Sequence, residues 1–110
     1  SILEPDAFIK TNFLGTHIML EAARENGIMR FLQIGTVEVY GCIENGSFKE
    51  TDPLLPSSPF SSSKGCADLL ARSYHTTFGM YVILTRSTNN FGPYQYPEKF
   101  IPLFVINAIE

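Results

Sequence analysis

Two short segments of this 110-residue chain concentrate the side chains that can do chemistry. The first is Gly35-Thr36-Val37-Glu38-Val39-Tyr40-Gly41 and the second is Arg86-Ser87-Thr88-Asn89-Asn90-Phe91-Gly92-Pro93. Hydroxyls, amides and a carboxylate suit a polyol such as a sugar, and a carboxylate tuned by its pocket can serve as a general base. Taken singly, each segment also reads as turn residues satisfying their own backbone. Lys64 stands apart from both. It sits at the expected start of a helix, where a cation is slightly unfavourable beside the positive end of the dipole, so a structural reason for it is weak. His17 and His75 are lone residues on expected helices and take no role. No His, Cys, Asp and Glu cluster has metal-ligand spacing, so no metal is expected.

The elements around these segments alternate. Asp6 to Asn26 reads as a helix, with Pro5 at its N-terminal boundary, Asp6 at the positive end of the dipole and Gly27 as its stop. Its apolar residues spread over more than one face, which predicts burial on more than one face. Met29 to Gly35 reads as a strand, and Thr36 to Tyr40 leads into a long loop that runs to Pro59; long loops on compact domains are usually functional. Ser61 to Phe78 reads as a second helix. Cys66, Leu69, Leu70, Ser73, Tyr74 and Phe78 would form its apolar face, and Gly79 ends it. Met80 to Arg86 is a near-continuous apolar run, the mark of a strand buried on both faces. A turn-rich stretch, 87–97, precedes a last helix from Glu98 or Lys99 to the C-terminus. Helix, strand, helix, strand, helix is an α/β pattern with parallel strands. Two strands alone make a poor parallel sheet, so the chain reads as the middle of a larger protein. Ligands of such sheets bind beyond the carboxyl ends of the strands, where both polar segments fall.

Composition sets the outer limits. At 45% hydrophobic and 17% charged, the chain is globular rather than disordered. A net charge of −3 leaves no basic footprint for nucleic acid. No apolar run is long enough to span a membrane, and Ser1 to Asp6 shows no signal peptide. Cys42 and Cys66 form no C-x-x-C pair and are expected to be reduced, packed thiols, which fits a cytoplasmic location. Tyr40, Tyr74, Tyr94 and Tyr96 are expected to pack or hydrogen-bond locally.

Four stretches together resemble the extended short-chain dehydrogenase/reductase family, and within it the dTDP-glucose 4,6-dehydratases. Phe8 to Thr16 is similar to the family helix with Thr-Asn-x-x-Gly-Thr. Phe31 to Gly41 is similar to the strand ending in Ser-Thr-Asp-Glu-Val-Tyr-Gly. Pro56 to Lys64 is similar to Pro-Ser-Ser-Pro-Tyr-Ser-Ala-Ser-Lys. Asn89 to Pro102 is the most distinctive, resembling Asn-Asn-Tyr/Phe-Gly-Pro-Tyr-x-x-Pro-Glu-Lys-x-Ile-Pro. The resemblance runs through the whole chain and implies a partial Rossmann-type, doubly wound parallel sheet, the middle to C-terminal part of a nucleotide-binding domain. It makes 1–110 a fragment of an NAD-dependent epimerase/dehydratase domain and 93–110 the start of the substrate-binding portion.

In that family bound NAD oxidises C4 of the sugar, a glutamate removes the C5 proton, an aspartic acid protonates the departing C6 hydroxyl, and hydride returns to C6. By resemblance, Thr36 would hydrogen-bond the sugar near O4 and Glu38 would be the C5 base. Lys64 would bind the nicotinamide ribose, Thr11 would lie close to the cofactor, and Asn12 would brace the site through backbone hydrogen bonds. Asn89 and Asn90 would contact substrate and cofactor respectively. Lys99 and Phe100 would meet a dTDP-glucose-like nucleotide sugar, Lys99 near its diphosphate. Helices 6–26 and 62–78 would pair two copies into a homodimer.

Three departures bear on activity. Phe60 stands where the family has its acid/base tyrosine, and losing a general acid/base typically costs about a hundredfold to ten-thousandfold in rate. Val37 stands where the family has the aspartic acid. The chain also carries no Gly-x-Gly or Gly-x-x-Gly-x-x-Gly, the turn that cradles a pyrophosphate at a helix N-terminus. The expectation is a nucleotide-sugar 4,6-dehydratase by family with impaired turnover. The alternatives are a catalytically dead binding homologue, a dimerisation fragment, or an epimerase or decarboxylase relative.

Overall fold

The computed structural model describes residues 5–109. The reading of Ser1 to Asp6 as showing no signal peptide falls mostly outside them, as does the expected continuation of the last helix to residue 110. The chain opens with helix α1 (Pro5–Phe8), which runs through a π-helical segment (Ile9–Leu14) into α2 (Gly15–Glu25). Strand β1 (Arg30–Thr36) leads into a single 3-10 turn (Val37–Tyr40). Helix α3 (Pro59–Phe78), strand β2 (Tyr81–Ser87) and helix α4 (Phe100–Ile109) complete the chain.

The first helix is not uniformly α-helical as its periodicity predicts. The Gly15 amide reaches Lys10 O, five residues back, so the middle turns are wide. Asn12 and Thr11 sit in this widened segment. Asn12 braces α3 through its side chain rather than its backbone: Nδ2 donates to Ser63 Oγ at 2.9 Å. The helix end behaves as its residues dictate. Gly27 N bonds Arg24 O and Ile28 N bonds Ala23 O, the paired bonds of a Schellman motif.

Helix α3 begins two residues before the expected Ser61. Ser58 is its N-cap, and Ser58 and Ser61 satisfy each other's backbone amides reciprocally, with Pro59 in the first turn. Lys64 therefore lies in the second turn, away from the exposed amides of the helix start. Gly79 ends α3 in the left-handed region at φ 69°, a conformation that costs glycine nothing.

The two strands pair in parallel, Arg30 opposite Tyr81 through Thr36 opposite Ser87. Helices α2 and α3 pack on one face of this sheet. Leu20, Ala23, Ala71, Tyr74 and Met80 form the core there, with Phe31, Val82 and Leu84 against it. Each fully buried Leu or Met contributes about 1.5–3 kcal/mol. The opposite sheet face is exposed: Leu32, Ile34, Tyr81 and Ile83 all point outward. β2 is thus covered on one face among the described residues, not on both as its apolar run predicts, because both helices that pack on the sheet lie on the same side.

The face of α3 also differs from the expected one. Cys66, Leu69, Ser73 and Phe78 are exposed, while Ser61, Ser63, Gly65, Ala67, Asp68, Ala71 and Tyr74 are buried. Small residues let the helix lie close to the sheet and to α2, and the larger apolar residues turn outward. On the first helix only Leu20 and Ala23 are buried; Ile9, Leu14, Ile18 and Met19 are exposed. Both cysteines are exposed free thiols rather than packed ones. Tyr40 and Tyr74 pack as expected, but Tyr94 and Tyr96 stand in the open.

Gly35 marks the tightest approach of strand to strand. A Cβ there would lie 2.6 Å from Thr85 O and 3.2 Å from Asp68 Oδ1. Gly35→Ala should therefore destabilise the fold by about 1–3 kcal/mol, measured by urea unfolding. A variant as stable as the parent chain would mean that the strands separate without cost.

Helices α2 and α3 are also joined by a polar network. Tyr74 donates to Glu21 Oε1 at 2.5 Å, His17 Nδ1 lies 3.1 Å from the Tyr74 hydroxyl, and Arg24 pairs with Glu21 at 2.8 Å. The bonds from Arg24 and Tyr74 hold the Glu21 carboxyl down to about 2. Burial and the bond to Glu21 push the Tyr74 phenol up to about 12. A depressed carboxyl stabilises the fold above its ordinary 4.5 and loses that contribution as pH falls through about 2. A raised phenol stabilises below its ordinary 10.0 and loses that contribution as pH rises through about 12. Unfolding free energy should thus be level between about pH 5 and pH 10 and fall on both sides. Tyr74→Phe should shrink both falls, and limbs unchanged in that variant would remove the network from the account.

Candidate active site

The carboxyl ends of β1 and β2 open into a cleft of about 840 Å³. Its floor is the end of β1, Gly35 and Thr36, with Glu38 rising from the 3-10 turn. The Thr36 hydroxyl caps that turn, accepting from the Glu38 amide at 3.3 Å. One wall is Ser87, Thr88, Asn89 and Asn90, the residues at and just after the end of β2. Asn90 Nδ2 donates to Ser87 Oγ at 3.1 Å, and Gln95 Nε2 donates to Asn90 O at 3.2 Å, so this wall is tied to itself. Lys99 and Phe100 close the far side at the start of α4.

The aromatic wall comes from the other end of the chain. Phe60, in the first turn of α3, meets Phe8 edge-on with ring centroids 5.6 Å apart, and both rings line the cleft. Neither ring carries a proton that could be exchanged. The cleft offers one carboxylate, Glu38, and one ammonium, Lys99, among hydroxyls and amides. Such a set can bind a polyol, hold an anion at one end and accept a proton at the other.

Of the residues singled out from the sequence, Thr36, Glu38, Phe60, Asn89, Asn90, Lys99 and Phe100 come together here. Three do not line the cleft. Val37 lines a second cavity with Tyr40, Phe48 and Arg86, because successive residues of a 3-10 turn point about 120° apart. Lys64 Nζ donates to Ile34 O at 2.7 Å, which holds its ammonium against the end of β1. Thr11 is exposed on the π-helical segment.

Phe8, Ser58 and Gln95 line the cleft without having been singled out. The N-cap signal of Ser58 was present in Ser58-Pro59, but Phe8 and Gln95 carry no local signal of a site. Sequence reasoning also missed the support beneath it. Asp68 is fully buried, and Arg86 Nε donates to its Oδ2 at 2.8 Å. Arg86 Nη1 donates to the Tyr40 hydroxyl at 2.6 Å. Burial works against the Arg86 charge, but the bonds to Asp68 and Tyr40 outweigh it and hold its pKa above the ordinary value.

Comparison with known proteins follows the same lines. The family model described as GDP-mannose 4,6 dehydratase matches residues 1–110. A dTDP-glucose 4,6-dehydratase of Streptomyces antibioticus is 52% identical over 110 residues, all of this chain and 33% of that protein. The crystal structure of the dTDP-glucose 4,6-dehydratase DesIV from Streptomyces venezuelae, solved with NAD bound, superposes with a TM-score of 0.95 at 49% identity, covering 99% of this chain and 34% of that one. A UDP-N-acetylglucosamine 4-epimerase from Methanobrevibacter ruminantium, in complex with UDP-N-acetylmuramic acid, superposes at 0.92 with 27% identity over 99% of this chain and 36% of that one. The chain thus spans about a third of the length of the curated relatives it matches. Its two parallel strands are part of a Rossmann-type sheet, and the chain belongs to the GDP-mannose 4,6 dehydratase family of extended short-chain dehydrogenases/reductases, in its dTDP-glucose-dehydratase-like branch.

Proposed function

We propose that this chain forms the sugar-side part of a nucleotide-sugar 4,6-dehydratase of the dTDP-glucose type, with turnover impaired by Phe60 and Val37. The observation that carries the reading is the convergence of Thr36, Glu38, Asn89 and Lys99 on one cleft beyond the strand ends. Thr36 and Asn89 would hold sugar hydroxyls, Lys99 the diphosphate and Glu38 the C5 proton. Phe100 would pack on the nucleotide.

NAD fits the nicotinamide end of this arrangement. Phe60 offers a flat apolar wall there, Asn90 an amide, and Lys64 keeps two free N–H donors while its third holds Ile34 O. When bound, NAD would take hydride from C4 and return it to C6. The residues of this chain would orient the sugar against it. They supply no pyrophosphate-cradling glycine turn, which the rest of such a protein would have to provide.

Phe60 favours a second reading, binding without turnover. Where the family's phenol would take the proton from the C4 hydroxyl, the cleft has a hydrocarbon edge packed against Phe8. We further propose a cytoplasmic homodimer, in which the exposed Leu14, Ile18, Met19 and Leu69 of the helix pair 6–26 and 62–78 are covered by a second copy. No helix among the described residues is long and apolar enough to cross a membrane.

Calorimetric titration with dTDP-glucose should detect binding, and Lys99→Ala should weaken it by roughly tenfold to a hundredfold, the usual loss for a bond to a charged group. Absence of binding to the unmodified chain would sink the proposal. Phe60→Tyr alone should yield no 4-keto-6-deoxy product, because Val37 still leaves the C6 hydroxyl without its acid and the chain carries no pyrophosphate-cradling glycine turn. Turnover by that single variant would refute the impairment argument.

A further inference from the structure

The residues that bear the candidate site sit on three elements: the 3-10 turn with Glu38, the end of β2 with Ser87 to Asn90, and helix α3 with Phe60. One chain of contacts behind the cleft joins all three. It starts at Asp68 of α3, fully buried, whose Oδ2 accepts from Arg86 Nε at 2.8 Å. It passes through Arg86, the residue before Ser87, and ends at the Tyr40 hydroxyl, 2.6 Å from Arg86 Nη1. The guanidinium also lies over the Tyr40 ring, 5.0 Å from its centroid, and that ring stacks on Phe48 at 5.1 Å. Tyr40 closes the turn that carries Glu38.

We propose that Asp68 is a positioning residue, which sets the distance between Glu38 and the Asn89 wall by holding Arg86 against Tyr40. Three observations support a designed constraint rather than a chance ion pair. Asp68 Oδ1 is buried with no hydrogen-bond partner among the described residues, so Arg86 is the partner that offsets the carboxylate's burial. A Cβ on Gly35, directly before Thr36, would meet Thr85 O at 2.6 Å and also lie 3.2 Å from Asp68 Oδ1, so the carboxylate packs close beneath the cleft floor. The arginine fork reaches two partners at once, which fixes its plane as a lysine could not. Asp68, Arg86 and Tyr40 do not line the cleft that holds Glu38. Asp68 acts through Arg86, and its role toward a sugar rests on the functional reading above.

Two mild variants test this. Asp68→Asn keeps the side-chain shape and removes its charge. Tyr40→Phe removes only the hydroxyl and keeps the ring against Phe48. The Gly41 amide bonds Glu38 O and the Leu55 amide bonds Val39 O, so hydrogen exchange at these two sites reports opening of the turn. Each single variant should speed exchange there about fivefold, the scale of one lost hydrogen bond. The double variant should be no faster, since both changes cut the same chain of contacts. Amides of β2 and of α2 around Leu20 should keep their protection. Additive effects in the double variant, or equal loosening of the core, would overturn the proposal. With ligands, the preference for dTDP-glucose over dTDP should fall several-fold in both variants while dTDP affinity holds. Equal loss for both ligands, or an unchanged preference, would overturn the positioning role. A parent chain that binds neither ligand overturns the functional reading, and the exchange result still decides whether the clamp exists.

Discussion

A single buried ion pair connects the architecture of this chain to its cleft. Asp68 lies with its side chain 1% exposed, and the Arg86 side chain beside it is 19% exposed. A carboxylate taken that far from water is stable only when it is paired. The pair therefore dictates what may surround it. α3 must present small residues to the sheet, and β2 must stay in the register that sets Arg86 opposite Gly35.

That constraint explains why the helices were partly misread from sequence. The 3.6-residue period correctly located α3 but selected the face with the largest apolar side chains, Leu69 and Phe78. Of the expected face Tyr74 is buried and Leu70 packs against the core, while the rest of the buried face is Ser61, Ser63, Gly65, Ala67, Asp68 and Ala71, the residues that permit close approach. Hydrophobicity ranks side chains by what they gain from burial, whereas this contact is limited by how near two backbones can come. The π-helical turn at Ile9–Leu14 was invisible for a similar reason. It widens the helix where Asn12 reaches Ser63, a tertiary contact that no local pattern encodes. The apolar run of β2 was legible as a strand, but the burial of both faces that it predicts is not met, since Tyr81 and Ile83 face outward here.

The polar cleft was more legible than the packing. Two segments rich in hydroxyls and amides, each following a strand, fall where parallel sheets bind ligands, so Thr36, Glu38, Asn89 and Asn90 could be named before any coordinates. Lys99 and Phe100 required the resemblance, because nothing about a cation and an aromatic at the start of a helix indicates a site. Phe8 escaped altogether: its place beside Phe60 depends on the first helix crossing α3.

Phe60 separates two things that usually travel together, the shape of a site and its chemistry. A tyrosine and a phenylalanine occupy nearly the same volume, so the exchange preserves the edge contact with Phe8 and the wall of the cleft. It leaves no buried polar atom unpaired, because the group removed is the polar one. Folding therefore has no means to reject it. Val37 is turned from the cleft into a second cavity that Phe48 and Leu84 also line. On the function proposed above, both replacements would leave the fold intact while withholding a proton that the reaction needs. The cleft lining and the buried Asp68–Arg86 pair beneath it rest on contacts within the fold, so on that proposal they would persist without the acid and the phenol.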